Sequence, residues 1–353
     1  MTNAMAHMLA CGYSQTYDNT NMPLPPDLKH QLRTIRRDGN GGWGPETQGK
    51  APHKPIMLLA VLDLYEAGHL QQNLIPYDEV LLEAFDHYWQ RCSPGRPTNP
   101  LQPFWYLKAS PFWRHQAKPG FQQALQALVT AKAKVPTRTV IAAQVAGAVL
   151  DETLYAAAMD PVGREELRQA IIAAHFGAEL REALAHQHRV VVDSFACAQA
   201  LRQQAAQELH DLFHGTGALD SAFMAESRNL AFRRVVVDAY AHHCAVCGAT
   251  IRTPSGRSAA EAAHIVPFSR CHNNDPRNGL ALCPLHHWAF DQGMLCIDDD
   301  HRITIHPYAR AFPADQGFIA LHRQAMRLPN DPRYLPAAQA LAWHRKEIFA
   351  KAG

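Results

Sequence analysis

Apolar and polar positions along this chain group into helix-like blocks for most of its length and into short strand-like runs near its end. Residues 51–65 form an apolar helix opened by Pro, with Gly68 near its end. Residues 75–89 read as an amphipathic helix in which Leu81, Leu82, Phe85 and Tyr88 share a face. Two aromatic runs, 102–107 and 111–113, suggest short strands, and much of 121–210 is Ala-rich and reads as helix. Ahead of these, residues 27–37 predict a short helix, 38–42 a flexible loop, and the polar stretch 1–25 disorder. Further on, residues 263–267 are a short apolar run ended by Pro, which suits a strand leaving its His at a loop mouth. Residues 280–282 suit the returning strand. Pro284 then opens a helix carrying residues 285–292, with Gly293 as its stop. Residues 302–305 alternate like a strand, flanked by His301 and His306 as exposed strand residues. No internal repeat stands out.

Length changes this picture: 353 residues exceed one small module, so two domains and a connector are expected. A hydrophobic content of 47% permits full cores, and no apolar run is long enough to span a bilayer. The segment around Met8 to Cys11 imitates a lipoprotein cleavage site but lacks the basic and apolar regions one needs. Of eight cysteines, Cys11, Cys92, Cys197 and Cys296 have no paired spacing and read as free thiols. The absence of a disulfide pattern points to a reducing, cytoplasmic setting. A net charge of +2 is compatible with nucleic acid, so a binding face must come from local clustering. Arg233, Arg234, Arg252, Arg257, Arg270 and Arg277 supply such a cluster, although each singly could be a solvated surface charge.

The chemistry concentrates between Cys244 and Asp291. Cys244-x-x-Cys247 is followed by Glu261-Ala-Ala-His264, then Asn278, then Cys283-x-x-His286-His287, and ends at Asp291. Cys244, Cys247, Cys283 and His286 are enough to close a tetrahedral zinc site; the bland alternative is buried thiols beside a surface His. On the helix after Pro284, His287 and Asp291 are four apart, share one face and can bind one cation. His286 lies about 100° around the helix from His287. It can turn back toward Cys283 while His287 faces the cleft, so adjacent histidines can serve two different metals. Cys271 and His272 sit in a polar loop and are read as solvated.

This stretch resembles the HNH, or ββα-metal, endonucleases, in particular the branch found in bacterial restriction enzymes. The resemblance begins at 232–240 and runs more weakly through Leu328-Pro329 to Trp343-His344-Arg345, about the last third of the chain. It implies His264 as the general base that takes a proton from the attacking water. It implies Asn278 as the residue orienting the loop or the base, and His287 and Asp291 as ligands of a catalytic Mg²⁺ or Mn²⁺. Many relatives carry Asp or His immediately before the base, where this chain has Ala263. The ion is then held by fewer protein groups, or Glu261 reaches in, or activity is impaired. The first reading is favoured, because magnesium keeps several waters.

The front of the chain resembles the sulfur-recognising domain of type IV restriction enzymes that cut phosphorothioate-modified DNA. The resemblance rests on Pro52-His53-Lys54-Pro55 before an apolar helix, on Pro103-Phe104-x-x-Leu107 and a Trp, and on 170–176 ending in His175-Phe176. It implies DNA contacts from His53, Lys54, Pro103 and Tyr106, joined by Arg270 and Arg277 of the second half. Relatives often carry an aromatic residue where this chain has Gln102, which suits a modified base instead. Phe104, Trp105 and Trp113 equally suit plain core packing.

Together these readings give an α+β protein. A flexible segment (1–45) precedes a mainly helical DNA-recognition domain with short strands (46–190). A helical connector (191–230) leads to a zinc-stabilised ββα-metal nuclease domain (231–353). The expected function is metal-dependent hydrolysis of double-stranded DNA, modified DNA in particular, with a homodimer as one allowed assembly and no membrane partner. The alternatives are a DNA-binding protein with an impaired HNH module, restriction of base-modified DNA, and a zinc-structured regulator that never cuts.

Overall fold

A computed structural model describes residues 24–131, 135–209, 212–213, 222–311 and 316–352. The expectations for Cys11 and for disorder at the extreme front fall on residues 1–23, outside the described residues. The front half runs α1 (Pro26–Arg33), α2 (His53–Glu66), α3 (Glu79–Cys92), α4 (Leu101–Tyr106), β1 (Trp113–Ala117) and α5 (Gln122–Thr130). It continues with α6 (Arg138–Gln144), β2 (Val145–Leu150), α7 (Glu152–Met159) and α8 (Pro161–His175). Two long helices follow, α9 (Ala178–Ala205) and α10 (Ala222–Ala239). Then come β3 (Glu261–His264), α11 (Phe268–Cys271), β4 (Gly279–Leu282), α12 (Pro284–Asp291), β5 (Leu295–Ile297) and β6 (Ile303–Ile305). The chain ends with α13 (Pro307–Ala311), α14 (Gln316–Ile319) and α15 (Ala338–Glu347). Among the described residues the strands form three antiparallel pairs, β1–β2, β3–β4 and β5–β6.

The apolar run of α2 is buried from Pro55 to Tyr65, as a helix hydrophobic on every side must be. It forms the axis of a first core that takes Leu24, Leu28 and Leu32 from the front, so residues 24–35 pack rather than lead in loosely. A second core gathers α10, β3, β4 and the strands after them. The long helix α9 belongs to both, with Leu184 and Val191 in the first and Ala198 and Leu201 in the second. It runs through residue 190, and α10 runs through residue 230, so neither expected boundary falls in a loop.

Two expectations from propensity fail. Residues 102–107 are helical: the Asn99 Oδ1 accepts from the Leu101 N–H at 3.1 Å, and Pro103 sits in the first turn, where its missing N–H costs nothing. End-capping chemistry thus outweighs aromatic strand preference there. The Ala-rich stretch is interrupted by β2, whose Ala148 exchanges backbone hydrogen bonds with Ile75 at 2.7 and 2.8 Å. That approach requires Gly147, since a Cβ there would fall 2.6 Å from the Ile75 carbonyl oxygen.

One buried carboxylate ties four helices together. Asp63 of α2, fully buried, accepts from the Tyr88 hydroxyl of α3 at 2.7 Å, from Arg168 of α8, and from the His188 Nδ1 of α9 at 3.0 Å. Burial alone lowers the His188 imidazole, but the hydrogen bonds to Asp63 and Glu66 overcome it and carry it from 6.5 up to about 9. A raised pKa means the protonated form stabilises the fold fully below about pH 6.5, and the contribution is lost as pH rises through about 9. The shift corresponds to on the order of 3 kcal/mol. Thermal melts between about pH 6 and pH 10 should therefore show a decline in stability that a His188→Gln protein lacks. Parallel curves for the two proteins would contradict this.

Candidate active site and metal centre

Strand β3 and helix α12 build the site because each carries alternating or helical spacing that sends chemistry one way and carbon the other. In the antiparallel register His264 faces Gly279 and Glu261 faces Leu282. Ala263 points into the core and is fully buried. Gly279 is needed where it stands: a Cβ there would lie 2.5 Å from Val236 and 2.9 Å from Phe232. Its absence lets α10 lie directly on the strand pair. Phe232 consequently stacks on the His264 imidazole, centroids 3.9 Å apart and planes 8° from parallel.

The His264 Nε2 lies 2.8 Å from the Asn274 side-chain oxygen. An amide oxygen there accepts from Nε2–H, leaving the lone pair on Nδ1. Burial lowers the His264 pKa, the Asn274 bond offsets it, and the neighbouring His287 lowers it further, so the ring favours its neutral form. Asn278 is fully buried and does a different job: it accepts from the Val266 N–H and donates to the Val266 carbonyl, both at 2.9 Å. It fixes the loop, whereas Asn274 holds the ring. Asn274 was missed in the sequence because it lies in a run, 273–275, that looked solvated. In the structure Asn273, Asn274 and Asp275 are buried, with Asn273 donating to the Leu212 carbonyl at 3.1 Å. Cys271 is likewise buried rather than solvated, its thiol against backbone carbonyls, while His272 is exposed as expected.

Helix α12 starts at Pro284 and stops before Gly293, as its sequence predicts. The His287 ring lies between two carboxylates, with Nδ1 2.7 Å from Glu261 Oε2 and Nε2 3.6 Å from Asp291 Oδ2. Burial raises the Asp291 pKa, and His287 offsets the rise. His286, on the other side of the helix, is buried, with Nδ1 3.1 Å from the Cys283 Sγ and 3.5 Å from the Cys244 Sγ. The ligand atoms of Cys244, Cys247, Cys283 and His286 all lie within 4.8 Å of one another. Three sulfurs and an imidazole nitrogen gathered this closely match the donor set of a closed tetrahedral zinc site. No disulfide joins the described cysteines.

The front residues picked out by sequence also come together. His53, Lys54, Pro103 and Tyr106 line a cavity of about 150 Å³, with Gln102, Trp43 and Arg36. Trp43 was not picked out; it packs edge-on to His53 at 5.6 Å and sits under Arg96 at 4.3 Å. Burial lowers the His53 pKa to about 4, and burial followed by Arg36 lowers that of Lys54. His175 and Phe176 are core residues instead, with the His175 Nε2 bonded to the Leu32 carbonyl at 2.7 Å. Phe104, Trp105 and Trp113 are fully buried and pack the core.

The arginine cluster resolves differently from its sequence reading. Arg252 pairs with Glu79, Arg257 with Asp86, and Arg233 and Arg234 with Glu83. These acids lie on one face of α3, so the arginines join the two halves of the molecule rather than presenting an open basic surface. Arg277 donates to Asp275 and to the Gln204 and Gln207 carbonyls at 3.3 and 2.8 Å, so its fork braces α9. Arg270 stays exposed at the end of α11. His301 and His306 are half-buried and flank β6 rather than lying within it.

Residues 244–298 match the protein family described as HNH endonuclease. Among solved structures the chain is similar to one titled "Modification dependent TagI restriction endonuclease", with 24% sequence identity and a TM-score of 0.28. That match covers 40% of this chain and 44% of the other, so less than half of that protein is spanned. The curated proteins contain no match. No helix among the described residues is long and apolar enough to cross a membrane.

Proposed function

We propose that this protein is a metal-dependent endonuclease that hydrolyses phosphodiester bonds of double-stranded DNA, in the manner of a modification-dependent, type IV-like restriction enzyme. In this reading residues 231–353 cut, and residues 46–190 select the DNA. The observation that carries it is a His264 ring held by Asn274 and stacked on Phe232, with the His287–Asp291 pair on α12 of the same matched HNH segment. The Nδ1 of His264 takes the proton from the attacking water, while Asn274 on Nε2 and Phe232 on the ring face hold the imidazole in place. His287 through Nε2, together with Asp291, would supply the donors for a divalent cation, which when bound would polarise the scissile phosphate and its leaving oxygen. Glu261 holds the opposite nitrogen, Nδ1, and so orients the ring, while waters would fill the place that Ala263 leaves on the ion. Cys244, Cys247, Cys283 and His286 hold a structural Zn²⁺ beneath the same helix.

Selection falls to the cavity around His53, Lys54, Pro103 and Tyr106. Its Pro and aromatic carbon walls favour a weakly hydrated sulfur over a strongly hydrated phosphate oxygen, because burying the oxygen costs more. Lys54 and Arg36 supply the charge that an anionic phosphorothioate needs. Gln102 on the same wall favours a second reading, in which its amide hydrogen-bonds a modified base. Binding of the full chain to matched plain, phosphorothioate and hydroxymethylated duplexes separates these outcomes. Tighter phosphorothioate binding, abolished by Tyr106→Ala, is expected. Preference for the modified base, lost in Gln102→Ala, would decide for the second reading.

A further inference from the structure

Three consecutive residues of α10 join the His264 ring to the front half of the chain. Phe232 lies flat on the ring. Arg233 donates from Nη1 to Glu83 Oε1 at 3.2 Å and from Nη2 to the carbonyl of Ala260, the residue before β3, at 3.4 Å. Arg234 donates from Nε to Glu83 Oε2 at 2.8 Å and from Nη1 to the Ser194 hydroxyl at 3.2 Å, with its guanidinium 3.9 Å over Phe195. Successive helical residues turn by about 100°, so the three side chains leave α10 toward His264, the lead into β3, and α9 with α3. One carboxylate of α3, only 11% exposed, therefore fixes two arginines whose neighbours touch both ends of β3.

Close packing does not do this work for Arg233. Its side chain is 38% exposed, and both it and Glu83 line a cavity of 580 Å³ between α3, α9 and α10. The Glu83 carboxylate instead takes one arginine on each oxygen, and the second prong of Arg233 goes to the Ala260 carbonyl, so charge-assisted hydrogen bonds supply the direction that packing leaves open there.

We propose that Glu83 is a positioning residue for the nuclease site: by holding Arg233 and Arg234 it sets the Phe232–His264 stack and the start of β3. Docking of the front half against the nuclease half then becomes a condition for full catalytic rate. This rests on the reading of His264 as the base. A general base misplaced by about 1 Å can cost on the order of 10²-fold in rate, with substrate binding untouched.

The test uses the full chain carrying Glu83→Gln, which keeps size and one acceptor oxygen while removing the charge. Single-turnover cleavage is expected to fall about 10- to 100-fold. Duplex affinity, metal content and helical content should match the wild type. Phe232→Leu, which removes the ring stacked on His264, should lower the rate. In the Glu83→Gln background, Phe232→Leu should then add little, because residues acting through one contact are not additive. The His264 ring signals in proton–nitrogen NMR, which feel the Phe232 ring, should move in Glu83→Gln. A folded, metal-loaded Glu83→Gln protein cutting at the wild-type rate overturns the proposal, as does one that loses metal or helix and so marks Glu83 as fold support alone. Should the wild type cut no duplex, it is the functional reading that fails. The NMR signals then decide the positioning by themselves: a shift upholds it and none overturns it.

Discussion

A His264→Ala protein is expected to lose at least about 10²- to 10⁴-fold in cleavage rate while keeping its fold, its metal at the cysteine cluster and its affinity for duplex DNA. The size follows from what the ring contributes and from what replaces it. His264 is part-buried, and its ring is gripped by Asn274 at 2.8 Å and by Phe232 at 3.9 Å, so no neighbouring side chain can swing into its place. The fold survives because the β3–β4 pair is held by backbone bonds and by Phe232 against Gly279, contacts an alanine leaves intact. Single-turnover cleavage alongside a melting curve checks both parts. A normal rate in the alanine protein would sink the assignment of the base.

Replacing Cys283 by Ser has the second large effect, and it acts on stability. Cys283 is buried at the N-terminal end of α12, with its sulfur 3.1 Å from the His286 Nδ1. It therefore ties the cluster to the helix that carries His287. Zinc binding at such sites is worth on the order of 10–16 kcal/mol in small folds, and that binding energy is folding energy. The serine protein should release its metal, and β3, β4 and α12 should melt together. His287→Ala should do the opposite: metal retained, fold retained, cleavage lost. Metal analysis of the two proteins separates the two sites. A well-folded wild type containing no zinc would contradict the structural half of the account.

The site was legible in the sequence wherever spacing along one element dictates geometry. Cys244 and Cys247, then Cys283 and His286, are local pairs, and a helix started by Pro284 has little choice about which way His286 and His287 face. What escaped was set by tertiary contact. Asn274 holds the ring from a loop whose polar sequence looks solvated, and nothing along the chain marks its burial. The arginines near the motif read as a DNA-facing cluster because their partners, Glu79, Glu83 and Asp86, lie more than 145 residues away on α3. Likewise, α4 reads as a strand until Asn99 and Pro103 are weighed as helix-start chemistry, and β2 hides in alanines until Ile75 comes to pair with it. The front cavity was named by four of its residues, yet Trp43 joined it through packing alone.

Incubation of the purified full chain with supercoiled plasmids of defined modification, with Mg²⁺ or Mn²⁺ added or omitted, tests the central claim most directly. The account predicts nicked and linear products from modified plasmid when the divalent ion is present, and intact plasmid when it is omitted. Intact plasmid in every condition, from folded protein that carries its zinc and binds the duplex, would show a DNA-binding protein whose HNH site does not cut.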